Sequence, residues 1–163
     1  MHRKYRPRHY AGRIAKAREL MPDCAVGADV MTGFPGETDA EFEDSRAFIE
    51  SLPFTYLHVF TYSERPGTPA AEREQVPMPV RKHRTHILRE LAAQKNLEFR
   101  RQMIGRKVSV VTLEDGKALS ENFLKVTLSM ASAPNQIRQI QIGGLTPDGL
   151  HESGFLSVLG STH

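Results

Sequence analysis

The run Asp29-Val30-Met31-Thr32-Gly33-Phe34-Pro35-Gly36-Glu37-Thr38 constrains the fold most, because it must pass from one backbone conformation to another within a few residues. Upstream, Cys24 to Thr32 has the mixed apolar pattern of a strand covered on both faces, as parallel strands are. Gly33-Phe34-Pro35-Gly36 breaks that strand, since proline fixes φ and lacks the amide that a ladder needs. Thr38-Asp39-Ala40-Glu41 then has the spacing of a capping box, in which hydroxyl and carboxylate satisfy reciprocal backbone donors at a helix start. Phe42, Ser45, Ile49 and Leu52 are the expected inner face of that helix.

The flanking segments extend the pattern. Tyr10, Ile14, Ala17 and Met21 share one helical face, predicting a helix over residues 8 to 21 that Pro22-Asp23 closes. After Pro53, the β-branched and aromatic run Tyr56 to Tyr62 predicts a second strand on which His58, Phe60 and Tyr62 share a face. The order αβαβ implies parallel strands with crossover helices, an α/β arrangement. Ser63 to Met78, rich in Pro, Gly and Glu, is an expected irregular loop. Pro79 to Ile104 is an expected long basic helix with Ile87, Leu88, Leu91, Ala92, Phe99 and Met103 as its apolar stripe, ended by Gly105.

Beyond Gly105 the pattern shortens. Val108 to Leu113, Asn122 to Leu128 and Ile137 to Ile142 alternate as strands do, and Asp115-Gly116, Ala133-Pro134-Asn135 and Gly143-Gly144 separate them as turns. A last apolar group spans Phe155 to Leu159. Short strands at this spacing predict a small β-barrel. The expected organisation is an α/β part over 1–78, a basic connecting helix over 79–105 and a barrel over 106–163.

The chain has 22 Lys+Arg and 19 Asp+Glu, an excess too small to identify a partner. Its placement is more informative, because nine basic and two acidic residues fall between Pro79 and Lys107. A local net of +7 suits a polyanion, although such a stretch is commonly a solvated helix face. No run is long and apolar enough to span a membrane, and the basic start has no apolar stretch behind it to make a signal peptide, so a cytoplasmic protein is expected. Cys24 is the only cysteine; it can form no intramolecular disulfide and cannot by itself hold an iron–sulfur cluster. At the start of a buried strand it is expected to act as a small hydrophobe.

Two stretches could carry chemistry. Gly33 to Gly36 puts unhindered backbone at the C-terminal edge of a parallel sheet, where α/β proteins bind ligands; the same residues also make an ordinary tight βα turn. His58-Val59-Phe60-Thr61-Tyr62-Ser63-Glu64-Arg65-Pro66-Gly67-Thr68 places aromatic faces, a hydroxyl and a guanidinium at the exit of the next strand. There they could pack an adenine and meet a carboxylate or phosphate, or simply form core and a polar loop.

Together, G-F-P-G-E-T and, one helix later, H-V-F-T-Y-S-E-R-P-G-T-P-A-A resemble the closing strands of the radical S-adenosylmethionine domain in the tRNA methylthiotransferases. Met1-His2-Arg3-Lys4-Tyr5 resembles an M-x-R-x-Y segment of the same family. The form H-x-F-x-Y-S-x-R-x-G-T is most similar to the branch acting on N6-threonylcarbamoyladenosine at position 37 of tRNA. Ser120 to Val126 resembles the N-Y-L-x-V strand of the TRAM barrel that ends this family, with Phe123 in place of Tyr.

The resemblance implies the C-terminal portion of a partial (β/α) radical-SAM barrel followed by a TRAM-like, RNA-binding β-barrel. It implies Arg3, Gly33, Phe34, Glu37, Phe60, Tyr62 and Arg65 at the S-adenosylmethionine pocket, with no catalytic residue and no metal ligand in this chain. Arg81, Lys82, Arg84, Lys107, Lys117 and Lys125 are the expected tRNA backbone contacts, whose binding would weaken steeply with salt. Asp29 is expected to anchor a strand end rather than act as a base. The cofactors implied are S-adenosylmethionine and 4Fe–4S clusters in a longer parent enzyme. The cluster cysteines are absent here, so the chain alone is expected neither to hold a cluster nor to turn over, and its partners are tRNA and the N-terminal portion of the same enzyme. A non-catalytic RNA-binding remnant, or a branch acting on isopentenyladenosine tRNA or a ribosomal protein, would carry the same motifs.

Overall fold

The computed structural model describes residues 7–154. The chain divides into two compact units, Met1–Asn96 and Leu97–His163, so the division falls inside a long helix.

The first unit contains α1 (Pro7–Leu20), β1 (Gly27–Thr32), α2 (Asp39–Ser51), β2 (Tyr56–Thr61) and the larger part of α3 (Met78–Gln102). β1 and β2 pair in parallel without slippage, from Gly27 opposite Tyr56 to Thr32 opposite Thr61. One face of this two-stranded sheet buries Val59 against Phe42, Ile49 and Leu52 of α2 and its C-cap, and against Leu88 of α3. Tyr10 and Ile14 of α1 pack at the edge of the same cluster. The opposite face stays open, with Met31, Tyr56 and Phe60 between 43% and 52% exposed.

The capping box forms as the spacing predicts: the Glu41 amide donates to Thr38 Oγ1 at 3.2 Å and the Thr38 amide donates to Glu41 Oε2 at 2.9 Å. The Thr38 amide and the Thr38 hydroxyl, both donating to Glu41 Oε2, hold the Glu41 carboxyl below the usual Glu range. Three local expectations change. β1 starts at Gly27 rather than Cys24, because the Cys24 backbone is spent on the end of α1: its amide donates to the Met21 carbonyl and its carbonyl accepts from Arg18. Cys24 itself is partly buried at the edge of the core. Met21 lies beyond the end of α1 and is 55% exposed, and on α2 Phe48 rather than Ser45 faces the core.

The second unit is a closed five-stranded barrel of β3 (Lys107–Thr112), β4 (Lys117–Ser120), β5 (Lys125–Thr127), β6 (Ile137–Leu145) and β7 (Leu150–Glu152), in the order β3-β4-β5-β7-β6. Every pairing is antiparallel except β5 with β7. Alternation fills the inside with Val108, Val110, Ala118, Val126, Ile140, Ile142 and Leu150, each no more than 5% exposed. Closure leaves no free strand edge. The strand expected over Asn122 to Leu128 is shorter, because Glu121 to Leu124 turns between β4 and β5 with Phe123 at φ 62°. β4 and β7, too short for a clear period, were not apparent from alternation. The apolar group Phe155 to Leu159 lies outside the described residues.

Candidate functional site

The C-terminal ends of β1 and β2 are joined to α3 by hydroxyls. Thr85 Oγ1 lies 2.7 Å from both Thr32 Oγ1 and Thr61 Oγ1, and donates to the Arg81 carbonyl one turn earlier at 2.9 Å. Gly33 follows at φ 75°, and a Cβ there would collide with Arg81 Cγ, so only glycine lets the loop close on the helix. Glu37 Oε2 accepts the Gly33 amide at 2.8 Å and Arg84 Nη1 at 2.6 Å, while Arg84 Nη2 reaches Asp39 Oδ1 at 2.6 Å. Burial alone would weaken the Arg84 cation, but hydrogen bonds to Asp39 and Glu37 outweigh it and raise its pKa.

Beside this loop lies a cleft of about 410 Å³ lined by Met31, Phe34, Phe60, Thr61, Tyr62, Ser63, Arg65, Thr68 and Ala70. The Phe34 and Tyr62 rings meet edge to face at 5.4 Å, and the Arg81 guanidinium stands 5.4 Å over the Tyr62 ring. Arg81 also donates to the Tyr62 and Val76 carbonyls and to Glu64, which ties the loop after β2 to the start of α3. The Tyr62 hydroxyl is buried and has no hydrogen-bond partner among the described residues. Such a group costs free energy unless something else satisfies it.

Of the residues expected at a cofactor pocket, Phe34, Phe60, Tyr62 and Arg65 line this cleft, and Gly33 adjoins it. Glu37 lines a different cleft of about 370 Å³ with Thr38, Asp39, Val76 and Arg84, where it fastens the loop from behind. Arg3 lies outside the described residues. Asp29 is exposed in mid-strand opposite His58, so it does not anchor the strand end. His58 stacks on Phe60 at 6.0 Å. Among the described residues no group of three or more His, Cys, Asp or Glu is placed to hold a metal ion, and no helix is long and apolar enough to cross a membrane.

The basic helix requires a correction. Arg81 and Arg84 are 3% and 4% exposed and spent on internal partners, so neither offers its guanidinium to a tRNA backbone. Arg89 donates to the Val59 carbonyl, and Lys95 to those of Glu50 and Leu52. In the second unit Arg100, 8% exposed, donates to the Thr146 and Gly149 carbonyls. These cations satisfy carbonyls of β2, of the C-terminal end of α2 and of loops rather than form an electropositive stripe. A signal for this existed: Arg81 and Arg84 precede Leu88 by seven and four residues, on the same face as the apolar stripe.

Lys82 is exposed on α3, and Lys107, Lys117 and Lys125 are exposed on the outside of the barrel. Lys125 pairs with Asp148 at 3.2 Å, and this hydrogen bond holds the Asp148 carboxyl below its ordinary range. Five basic and five acidic residues lie between Arg106 and Gly154, so the barrel has little net charge of its own.

No family model matches the chain. Over 144 residues it is 42% identical to the threonylcarbamoyladenosine tRNA methylthiotransferase MtaB of Rickettsia prowazekii, covering 88% of this chain and 33% of that protein. It is 39% identical over 123 residues to the tRNA-2-methylthio-N(6)-dimethylallyladenosine synthase of Wolbachia pipientis, covering 75% and 28%. To MtaB of Aquifex aeolicus it is 32% identical over 127 residues, covering 77% and 31%. The chain thus spans about a third of the length of the curated relatives it matches. By these matches the chain belongs to the radical S-adenosylmethionine tRNA methylthiotransferase family.

Proposed function

We propose that this chain is the C-terminal part of an enzyme that adds a methylthio group to C2 of N6-threonylcarbamoyladenosine at position 37 of tRNA. In this reading β1, β2 and their helices close a larger (β/α) barrel, whose remaining strands cover the open aromatic face, and the second unit is a TRAM-like barrel that binds tRNA. The cleft at the strand ends is one wall of the S-adenosylmethionine pocket.

The observation that carries the reading is the buried Tyr62 hydroxyl, without a hydrogen-bond partner among the described residues, beside an aromatic cleft at the C-terminal end of parallel strands. The residues fit the cofactor. Phe34, Phe60 and Tyr62 offer ring faces and edges to a purine, Ser63 and the exposed Arg65 offer donors to a carboxylate, and the Tyr62 hydroxyl takes a polar atom of the ligand. When bound, S-adenosylmethionine supplies the methyl group and, after reduction by a cluster, the hydrogen-abstracting chemistry of the family. This chain's residues bind and orient it: Arg81 fixes the loop after β2, and Glu37 with Arg84 fixes the loop after β1. The single Cys24 does not fit a cluster held by several thiolates, so that group would belong to the portion of a longer protein that this chain lacks, and the chain alone would not turn over.

Calorimetric titration of the chain with S-adenosylmethionine tests the pocket. Saturable binding that weakens in Tyr62→Phe is expected, and no binding by the wild type removes the reading. The threonylcarbamoyl branch rests on the form of the His58 to Thr68 motif. A second reading, the dimethylallyladenosine branch, is favoured by the 39% identity to the Wolbachia synthase. Binding to tRNA bearing each modification separates them, and preference for the dimethylallyl form would overturn the first.

A further inference from the structure

Phe123 stands at the tip of the turn between β4 and β5, at φ 62° and 75% exposed. Among the described residues three non-glycine positions have left-handed backbone. Asp115 and Asn135 have short polar side chains that tolerate it, whereas a bulky aromatic is an outlier there. The turn beneath the ring is firmly held. Ser120 and Asn122 are 4% and 5% exposed, Ser120 Oγ lies 2.6 Å from Asn122 Oδ1, and Asn122 Nδ2 lies 3.3 Å from Met103 Sδ. The Leu124 amide donates to Ser120 Oγ at 2.9 Å, and the Phe123 amide donates to the Ser120 carbonyl at 2.9 Å. Asparagine or glycine would serve this backbone with less strain, so the turn does not account for the ring.

The outward positions that flank the turn, Glu121, Lys125 and Ser109, are polar, while an outward apolar row of Leu119, Val111 and Ile137 begins opposite Lys125 and leads away across β4, β3 and β6. Lys125 follows two residues later with its side chain 73% exposed, Glu121 accepts the Ser109 amide, and Ser109 pairs across the barrel wall with Gln139. A protein-binding hot spot is ringed by contacts that exclude water, which these residues do not supply. A preformed flat ring among polar groups instead matches the face of an unstacked nucleobase, which any base sequence can offer. With so little net charge on the barrel, stacking is the stronger contribution it can make.

We infer that Phe123 is a stacking platform for an unpaired RNA base, with Lys125 beside it for the adjoining phosphate. The inference rests on the reading of this barrel as tRNA-binding and adds the residue and the mode of contact. The chain has no tryptophan, so Phe123→Trp creates a single indole reporter at the turn. Its fluorescence is expected to be quenched by unmodified tRNA and by a single-stranded oligoribonucleotide, but not by a fully paired RNA duplex. Phe123→Asn, which suits the backbone, is expected to keep or raise the thermal midpoint and to bind the single strand about tenfold more weakly, the loss expected for one base–aromatic stack. Equal binding by wild type and Phe123→Asn, an unquenched indole, or a lowered midpoint in Phe123→Asn would overturn the inference and leave the RNA-binding reading standing. A wild-type chain that binds no RNA would overturn both.

Discussion

A single carboxylate oxygen of Glu37 accepts the Gly33 amide at 2.8 Å and an Arg84 guanidinium nitrogen at 2.6 Å, joining the loop after β1 to α3. The Arg84 side chain is 5% exposed and that of Glu37 16%, so removal of the cation strands a largely buried carboxylate. Arg84→Ala is therefore expected to destabilise the chain by about 3 kcal/mol. Urea unfolding checks this, and a loss within experimental error would show that the pair does not hold the loop. Asp39, whose side chain is 96% exposed, contributes little, and Asp39→Asn should be close to neutral.

Tyr62→Phe separates stability from binding. Deleting a buried hydroxyl that has no partner among the described residues should raise stability by about 1 kcal/mol. If the hydroxyl meets the cofactor, the same change weakens S-adenosylmethionine binding. A variant both less stable and unchanged in binding would place the hydroxyl in a structural role.

The capping box of α2 carries a pH dependence. The Glu41 pKa is lowered by its hydrogen bonds to the Thr38 backbone and side chain. A carboxyl depressed in the folded state contributes stability that is fully present above its unfolded value, near about 4.3, and is lost as pH falls through the lower folded value. NMR titration of Glu41 should therefore give a midpoint below the ordinary one, and Thr38→Ala should return it upward. Equal midpoints in the two proteins would contradict the box.

RNA binding should depend on salt less steeply than the basic count suggests. With Arg81 and Arg84 withdrawn, Lys82, Lys107, Lys117 and Lys125 remain exposed from the expected set. Four phosphate contacts to a single strand give a logarithmic slope of roughly −3, and each lysine-to-alanine change lowers it by roughly 0.7. A slope near that for all six expected contacts would return the buried arginines to the interface.

The amino-acid sequence by itself determined the αβαβ order of the first unit, the capping box at Thr38 and Glu41, the Gly-Pro-Gly break after β1 and the change to short strands beyond Gly105. These are local properties, set by residue spacing, proline and glycine. The grouping of Phe34, Phe60, Tyr62 and Arg65 with Arg3, Gly33 and Glu37 at one pocket came from the family resemblance rather than from spacing; Phe34, Phe60, Tyr62 and Arg65 line one cleft, whereas Glu37 lines another. Only the tertiary structure decided what the cations of α3 do. Whether Arg84 meets a phosphate or a carboxylate depends on Glu37, 47 residues earlier in the chain, and on carbonyl groups whose positions no local pattern describes. The backbone of Phe123 was hidden for the same reason: its left-handed φ follows from the Ser120 and Asn122 bonds in a closed barrel, whereas alternation alone extends the strand straight through it.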